Sequence, residues 1–140
     1  GKGVDLNKTL SINSIHRVVS SLKEYKNILE TQYNDVSEIV VTATSAVRDA
    51  SNKNEFISTI KKETGFDVQL LSGEEEAQCT FEGAMSVLGN ESEGDVFVLD
   101  IGGGSTEIAL GRNGELIDSY SFDMGRLINS SGIGSLFHLL

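Results

Sequence analysis

Val96-Phe97-Val98-Leu99-Asp100-Ile101-Gly102-Gly103-Gly104-Ser105-Thr106-Glu107 is the stretch whose reading decides the fold. Val96 to Ile101 is an apolar run rich in β-branched residues, and it reads as a buried strand that delivers Asp100 to its end. Gly102, Gly103 and Gly104 have no Cβ atoms to block a close approach, so the chain turns there. Thr106 to Gly111 returns as a second strand. Asn113-Gly114 is a hairpin signal, and Glu115 to Phe122 supplies a third strand. A strand–glycine turn–strand unit is not a dinucleotide fingerprint, where a helix follows the glycines. Nor is it a Walker loop, because no Gly-Lys-Ser/Thr follows. The N–H groups of such a turn can converge on a phosphate. Ser105 and Thr106 add hydroxyl donors, and Asp100 and Glu107 flank the pocket. Two carboxylates beside a phosphate suggest Mg²⁺, which takes oxygen ligands and keeps several waters. A glycine-rich hairpin with solvated acids is the plainer reading, but a bare turn does not need this whole set of residues.

Upstream, helices alternate with short strands. Ser11 caps a helix whose Ile12, Ile15, Val18, Val19, Leu22, Ile28 and Leu29 fall mostly on one face. Glu38 to Thr44 reads as a short, largely buried strand, and Ser45 to Ala50 turns back toward helix. Asn54 to Thr64 is a further helix closed by Gly65. Phe66 to Leu71 is another strand. Ser72-Gly73-Glu74-Glu75 has the form of a capping box that opens a helix to about Leu88. The order is α/β, with a fresh β-meander starting near Val96. Gly89 to Gly94, polar and acidic, is the candidate domain boundary, dividing residues 1–93 from 94–140.

Three acids open the last helix. Glu75 is the capping-box partner and Glu74 a solvated neighbour on the helix dipole. Glu76 shares its face with Cys79, Thr80 and Gly83, all small, which leaves room for another loop. A dipole-favoured acid and a functional carboxylate both fit Glu76. In Thr42-Ala43-Thr44-Ser45-Ala46-Val47-Arg48, Arg48 lies just past a strand end. A phosphate contact through its planar fork and a surface salt bridge to Asp49 or Glu55 fit it equally. His16 and His138 have no metal-ligand company, and Cys79 reads as a small buried residue.

The formal net charge of −10 over 140 residues argues against nonspecific nucleic-acid binding, which needs clustered Lys and Arg. Any polyanion must then be held locally, by amides, a few placed cations and metal. One cysteine allows no internal disulfide, which fits a reducing cytoplasm. No apolar run is long enough to cross a bilayer, so no membrane partner is expected.

Four blocks together resemble the exopolyphosphatase / guanosine-pentaphosphate phosphatase (Ppx/GppA) family of the actin-like ATPase (ribonuclease H-like) superfamily. They are Thr42 to Arg48, Asn52 to Phe56, Ser72-Gly73-Glu74-Glu75-Glu76-Ala77, and Asp100 to Glu107. The pairing of the last two is the specific part, since sugar kinases and heat-shock ATPases carry similar glycine loops. The match runs from about Gly3 to Gly125, and Arg126 to Leu140 fits the family poorly. The resemblance implies two actin-like domains with a phosphate site in a cleft, of which the chain holds most of the first and the opening meander of the second. It implies that Glu76 is the base that activates water and that Asp100 and Glu107 hold Mg²⁺. Gly102, Gly103, Gly104, Ser105 and Thr106 would form a phosphate loop, and Arg48 would contact substrate phosphate. Polyphosphate or guanosine pentaphosphate is the implied substrate, attacked in line by water. A homodimer is an open expectation for the whole protein. The family's opening strands and first phosphate loop have no counterpart in the sequence. The chain therefore reads as a fragment, expected to be inactive or poorly folded alone; polyphosphate hydrolysis by it would refute that. Two other classes stay open: a nucleotide-dependent kinase or ATPase of the same fold, and a non-catalytic module that binds polyphosphate or guanosine pentaphosphate.

Overall fold

The computed structural model describes residues 8–33, 35–89 and 94–124. The readings made above for Gly3, for the stretch 90–93, for Gly125 and for 126–140, His138 included, lie outside them. The elements run α1 (Ile12–Gln32), β1 (Val41–Ala43), α2 (Ser45–Arg48), α3 (Lys53–Thr64), β2 (Val68–Leu70), α4 (Gly73–Leu88), β3 (Asp95–Ile101), β4 (Thr106–Arg112) and β5 (Glu115–Phe122). The chain divides into two compact units, one running to Leu70 and the other starting at Leu71. The sequence reading placed α4 in the first domain; by its contacts α4 goes with the meander.

In the unit that ends at Leu70, β1 and β2 pair in parallel, Val41 against Val68 through Ala43 against Leu70. Parallel strands need a crossover, which α2 and α3 supply. The core is Leu10, Ile15, Val19, Ala50, Phe56 and Ile60, where α1 packs on α3. Ser11 caps α1 as read, its side chain accepting from the Ser14 N–H at 3.1 Å. The apolar stripe of α1 is narrower than its periodicity suggests. Ile15 and Val19 are buried, whereas Ile12, Val18 and Ile28 stay exposed. Gly65 closes α3 in the left-handed region at φ 82°, which any side chain would oppose. The Lys26 ammonium on α1 donates to the Thr64 carbonyl at that same helix end, 2.9 Å away. A clip of polar bonds adds to this. The Asn52 amide accepts from the Leu10 N–H (2.9 Å) and donates to the Leu10 carbonyl (3.0 Å). The expected buried strand at 38–44 shrinks to three residues, and Ile39 and Val40 are exposed. A two-stranded sheet shields too little surface to bury it.

In the unit that starts at Leu71, β3, β4 and β5 form an antiparallel meander. Asn113 and Gly114 turn β4 into β5 with φ of 52° and 83°, the pair of positive values that a two-residue hairpin of this kind needs. Helix α4 lies against the meander. Its capping box is complete: the Ser72 hydroxyl accepts from the Glu75 N–H (3.1 Å) and the Glu75 carboxylate accepts from the Ser72 N–H (2.7 Å). Two glycines set the packing distance. A Cβ on Gly73 would stand 2.3 Å from the Ser121 Cβ, and one on Gly111 would stand 2.1 Å from the Phe81 ring. Phe81 and Ala77 are buried between them. β3 is not the buried strand the sequence suggested. It alternates, with Phe97, Leu99 and Ile101 exposed. Among the described residues α4 covers only one face of the sheet.

Candidate functional site

The site is built at one end of the meander. Ile101 pairs with Thr106, so Gly102 to Ser105 form a four-residue loop. The Gly102 N–H donates to the Ser105 carbonyl at 2.9 Å and closes the loop at its base. A Cβ on Gly102 would lie 3.2 Å from that carbonyl oxygen, so the turn is tight there. Among the described residues the N–H groups of Gly103 and Gly104 have no backbone acceptor. These are the donors left to an anion. Ser105 is buried. Thr106 is placed differently from the expectation: its hydroxyl donates to the Met124 carbonyl and ties the end of β5 to the start of β4.

Asp100 and Glu107 are direct cross-strand partners. Opposite residues of an antiparallel pair project to the same face, with Cβ atoms roughly 4.5–5.5 Å apart. The face they share is the one that α4 covers. The Thr80 hydroxyl on α4 donates to Asp100 Oδ2 at 3.1 Å. The Ser121 hydroxyl on β5 donates to Glu107 Oε1 at 2.9 Å. Glu107 is 1% exposed, and its Oε2 is buried with no hydrogen-bond partner. An orphaned carboxylate oxygen beside a second carboxylate is costly as it stands. A divalent cation would relieve both the missing partner and the like-charge repulsion, so the pair fits Mg²⁺. Among the described residues no group of three or more His, Cys, Asp or Glu gathers. Two carboxylates are still enough for an ion that completes its shell with water and substrate phosphate oxygens.

Glu76 stands half-buried in the first turn of α4. It lies three residues after Gly73, which packs on Ser121, and four before Thr80, which bonds Asp100. Those spacings put all three on one helix face. The small-residue reading of that face needs correcting. Cys79 is exposed rather than buried, and a Cβ on Gly83 would meet nothing within 4 Å. The close approach is made at Gly73 instead. Arg48 belongs to the other unit, at the end of α2. Its guanidinium lies 3.8 Å from the Asp49 carboxylate with the side chain 21% exposed, a loose pair rather than a bidentate one. His16 is exposed.

Sequence reasoning missed Ser121 and saw Thr80 only as a small residue. Counting back from the Asn113-Gly114 turn would put Tyr120 opposite Glu107. A β-bulge between Leu110 and Gly111 shifts the register by one and brings Ser121 there instead.

A glycine loop closed between two strands, with paired carboxylates on the helix-covered face, marks a mixed α/β protein whose site suits an anion beside a divalent cation. The comparisons narrow this. The Ppx/GppA phosphatase family profile matches residues 1–129. The bifunctional 3-dehydroquinate synthase/phosphatase of Fusobacterium nucleatum is 35% identical over 125 residues, which are 89% of this chain and 19% of that protein. Exopolyphosphatase 2 of Mycobacterium tuberculosis is 36% identical over 131 residues, covering 89% of this chain and 40% of that one. The solved exopolyphosphatase of Cytophaga hutchinsonii superimposes with a TM-score of 0.83 at 33% identity, over 91% of this chain and 40% of that one. The chain belongs to the Ppx/GppA phosphatase family. It spans 19% to 40% of the length of these three relatives.

Proposed function

We propose that this chain contributes the catalytic acids and a phosphate loop to an exopolyphosphatase-type hydrolase that removes terminal phosphate from polyphosphate or guanosine pentaphosphate. The observation that carries the proposal is the Asp100–Glu107 pair at the base of the glycine loop, with one buried carboxylate oxygen unpartnered. Family membership and the exopolyphosphatases among the relatives support the substrate class.

In this reading the Gly103 and Gly104 amides cradle a phosphate, and Arg48 contacts substrate phosphate. Asp100 and Glu107 hold Mg²⁺, which when bound neutralises charge on the phosphoryl oxygens. Glu76 takes a proton from the attacking water. The water oxygen bonds to the terminal phosphorus as the bridging P–O bond breaks in line, and the shortened chain leaves as the anion. A cytoplasmic setting is part of the proposal, on the single cysteine. Among the described residues no helix is long and apolar enough to cross a membrane.

The test is phosphate release from polyphosphate and from guanosine pentaphosphate with Mg²⁺, using the full-length protein with and without Glu76→Gln. Loss of a base costs about 10²–10⁴-fold in rate, and a loss of that size is expected. A folded variant as active as the parent would move the base elsewhere, and an inert parent would end the hydrolase reading.

A further inference from the structure

We propose that Thr80 and Ser121 are positioning residues that aim the two carboxylates. Each donates a hydroxyl to one oxygen of Asp100 or Glu107 and leaves the other oxygen for a divalent cation. The inference rests on the reading of Asp100 and Glu107 as the cation's ligands.

The two bonds are alike in design. Thr80 Oγ1 donates to Asp100 Oδ2 at 3.1 Å, and Ser121 Oγ donates to Glu107 Oε1 at 2.9 Å. Each carboxylate is thus held at one oxygen. At Glu107 the consequence is visible: Oε1 is satisfied and Oε2 is buried and unpartnered. Two like charges on opposite strands would swing apart if their side chains were free. A hydroxyl on each opposes that swing and fixes the direction of the remaining lone pairs. Groups that orient ligating carboxylates are worth about 10–100-fold in metal affinity.

Helix α4 supports both donors. It carries Thr80 itself. It also presses its first residue, Gly73, onto Ser121 so closely that a Cβ would overlap the serine's. Neither hydroxyl is interchangeable with a methyl group. Thr80→Val keeps the shape and removes the donor, and Ser121→Ala removes the donor together with its oxygen on β5.

The experiment uses the full-length protein stripped of metal and Mn²⁺ as the probe, titrated by electron paramagnetic resonance, with the melting temperature of each metal-free variant measured alongside. Thr80→Val and Ser121→Ala are each expected to raise the Mn²⁺ dissociation constant about 10–100-fold. Thr80→Ser, which keeps the hydroxyl, is expected to stay near the parent value. If the parent binds and both donor-less variants bind equally well while melting lower, the hydroxyls are structural only and the proposal falls, with the metal reading intact. If the parent itself does not bind Mn²⁺, the metal reading and this proposal fall together. Should Ser121→Ala not fold, the contrast between Thr80→Val and Thr80→Ser decides alone.

Discussion

The unit ending at Leu70 and the unit starting at Leu71 fill their interiors with different chemistry. The first buries Leu10, Ile15, Val19, Phe56 and Ile60, ordinary aliphatic and aromatic bulk, and its buried polar groups are the uncharged hydroxyls of Ser45 and Thr64, the latter donating to the Ile60 carbonyl. It uses polar groups at its edges, where Asn52 clips Leu10 and Lys26 caps α3. The second buries Ala77, Phe81 and Ala109 together with Ser105 and Glu107. Its helix reaches the sheet through glycines rather than interlocking large side chains. The first interior is arranged for burial, which contributes roughly 25 cal/mol per Å² of apolar surface. The second gives up some of that to hold a carboxylate out of water. Among the described residues the buried carboxylate thus lies in one unit alone.

The largest expected effect tests the first half of that contrast. Ile60 is fully buried between α1 and α3. Ile60→Ala removes bulk that its neighbours cannot refill, and should cost about 2–5 kcal/mol. Urea unfolding of the parent and variant measures it. A cost below about 1 kcal/mol, the size of an exposed substitution, would mean that this core does not carry its unit.

The next effect tests the second half. Gly111→Ala drives a methyl group into the Phe81 ring, and overpacking of this kind costs about 1–3 kcal/mol. The double variant with Phe81→Leu should recover part of that loss, because the ring is what the methyl group meets first. Part should remain, since the Glu115 carbonyl oxygen also lies 2.9 Å from the new Cβ. If the double variant is simply the sum of the two single ones, the glycine is not what seats the helix.

The packing at Gly111 also marks the limit of what was legible beforehand. The elements of the meander, its two turns, the capping box and Gly65 were all readable, because each has a local signature in neighbouring residues. The reading placed Asp100 and Glu107 on either side of the glycine turn; that they stand directly opposite each other is a finding of the register, Ile101 pairing with Thr106. The bulge beside Gly111 was not readable. It sits where Phe81, thirty residues away in sequence, packs against Gly111, and it decides whether Tyr120 or Ser121 stands opposite Glu107. The Asn52 clip was hidden for the same reason: its partner, Leu10, precedes a whole helix. Burial was misjudged for β1 and β3, because β-branched density reports a strand and not whether its faces are covered.

The smallest effect concerns the exposed end of the meander and separates surface charge from buried charge. Arg112 bonds Asp95 across β4 and β3, and this holds the Asp95 carboxyl below its ordinary range. A carboxylate whose value is lowered on folding stabilises the fold at pH above its unfolded value, near 3.9. That contribution fades as pH falls through the lower folded value, where the native state takes up the proton too. Both partners are well exposed, so solvent and salt screen the pair. Melting curves of the parent and Asp95→Asn should therefore differ slightly at neutral pH and converge once the pH has fallen through the lowered Asp95 value. The gap should also narrow in about 1 M salt, where the Debye length shrinks to about 3 Å. A gap that persists in acid would show that Asp95 acts through its shape in the strand and not through its charge. The rim of the second unit would then resemble its interior more than this comparison allows.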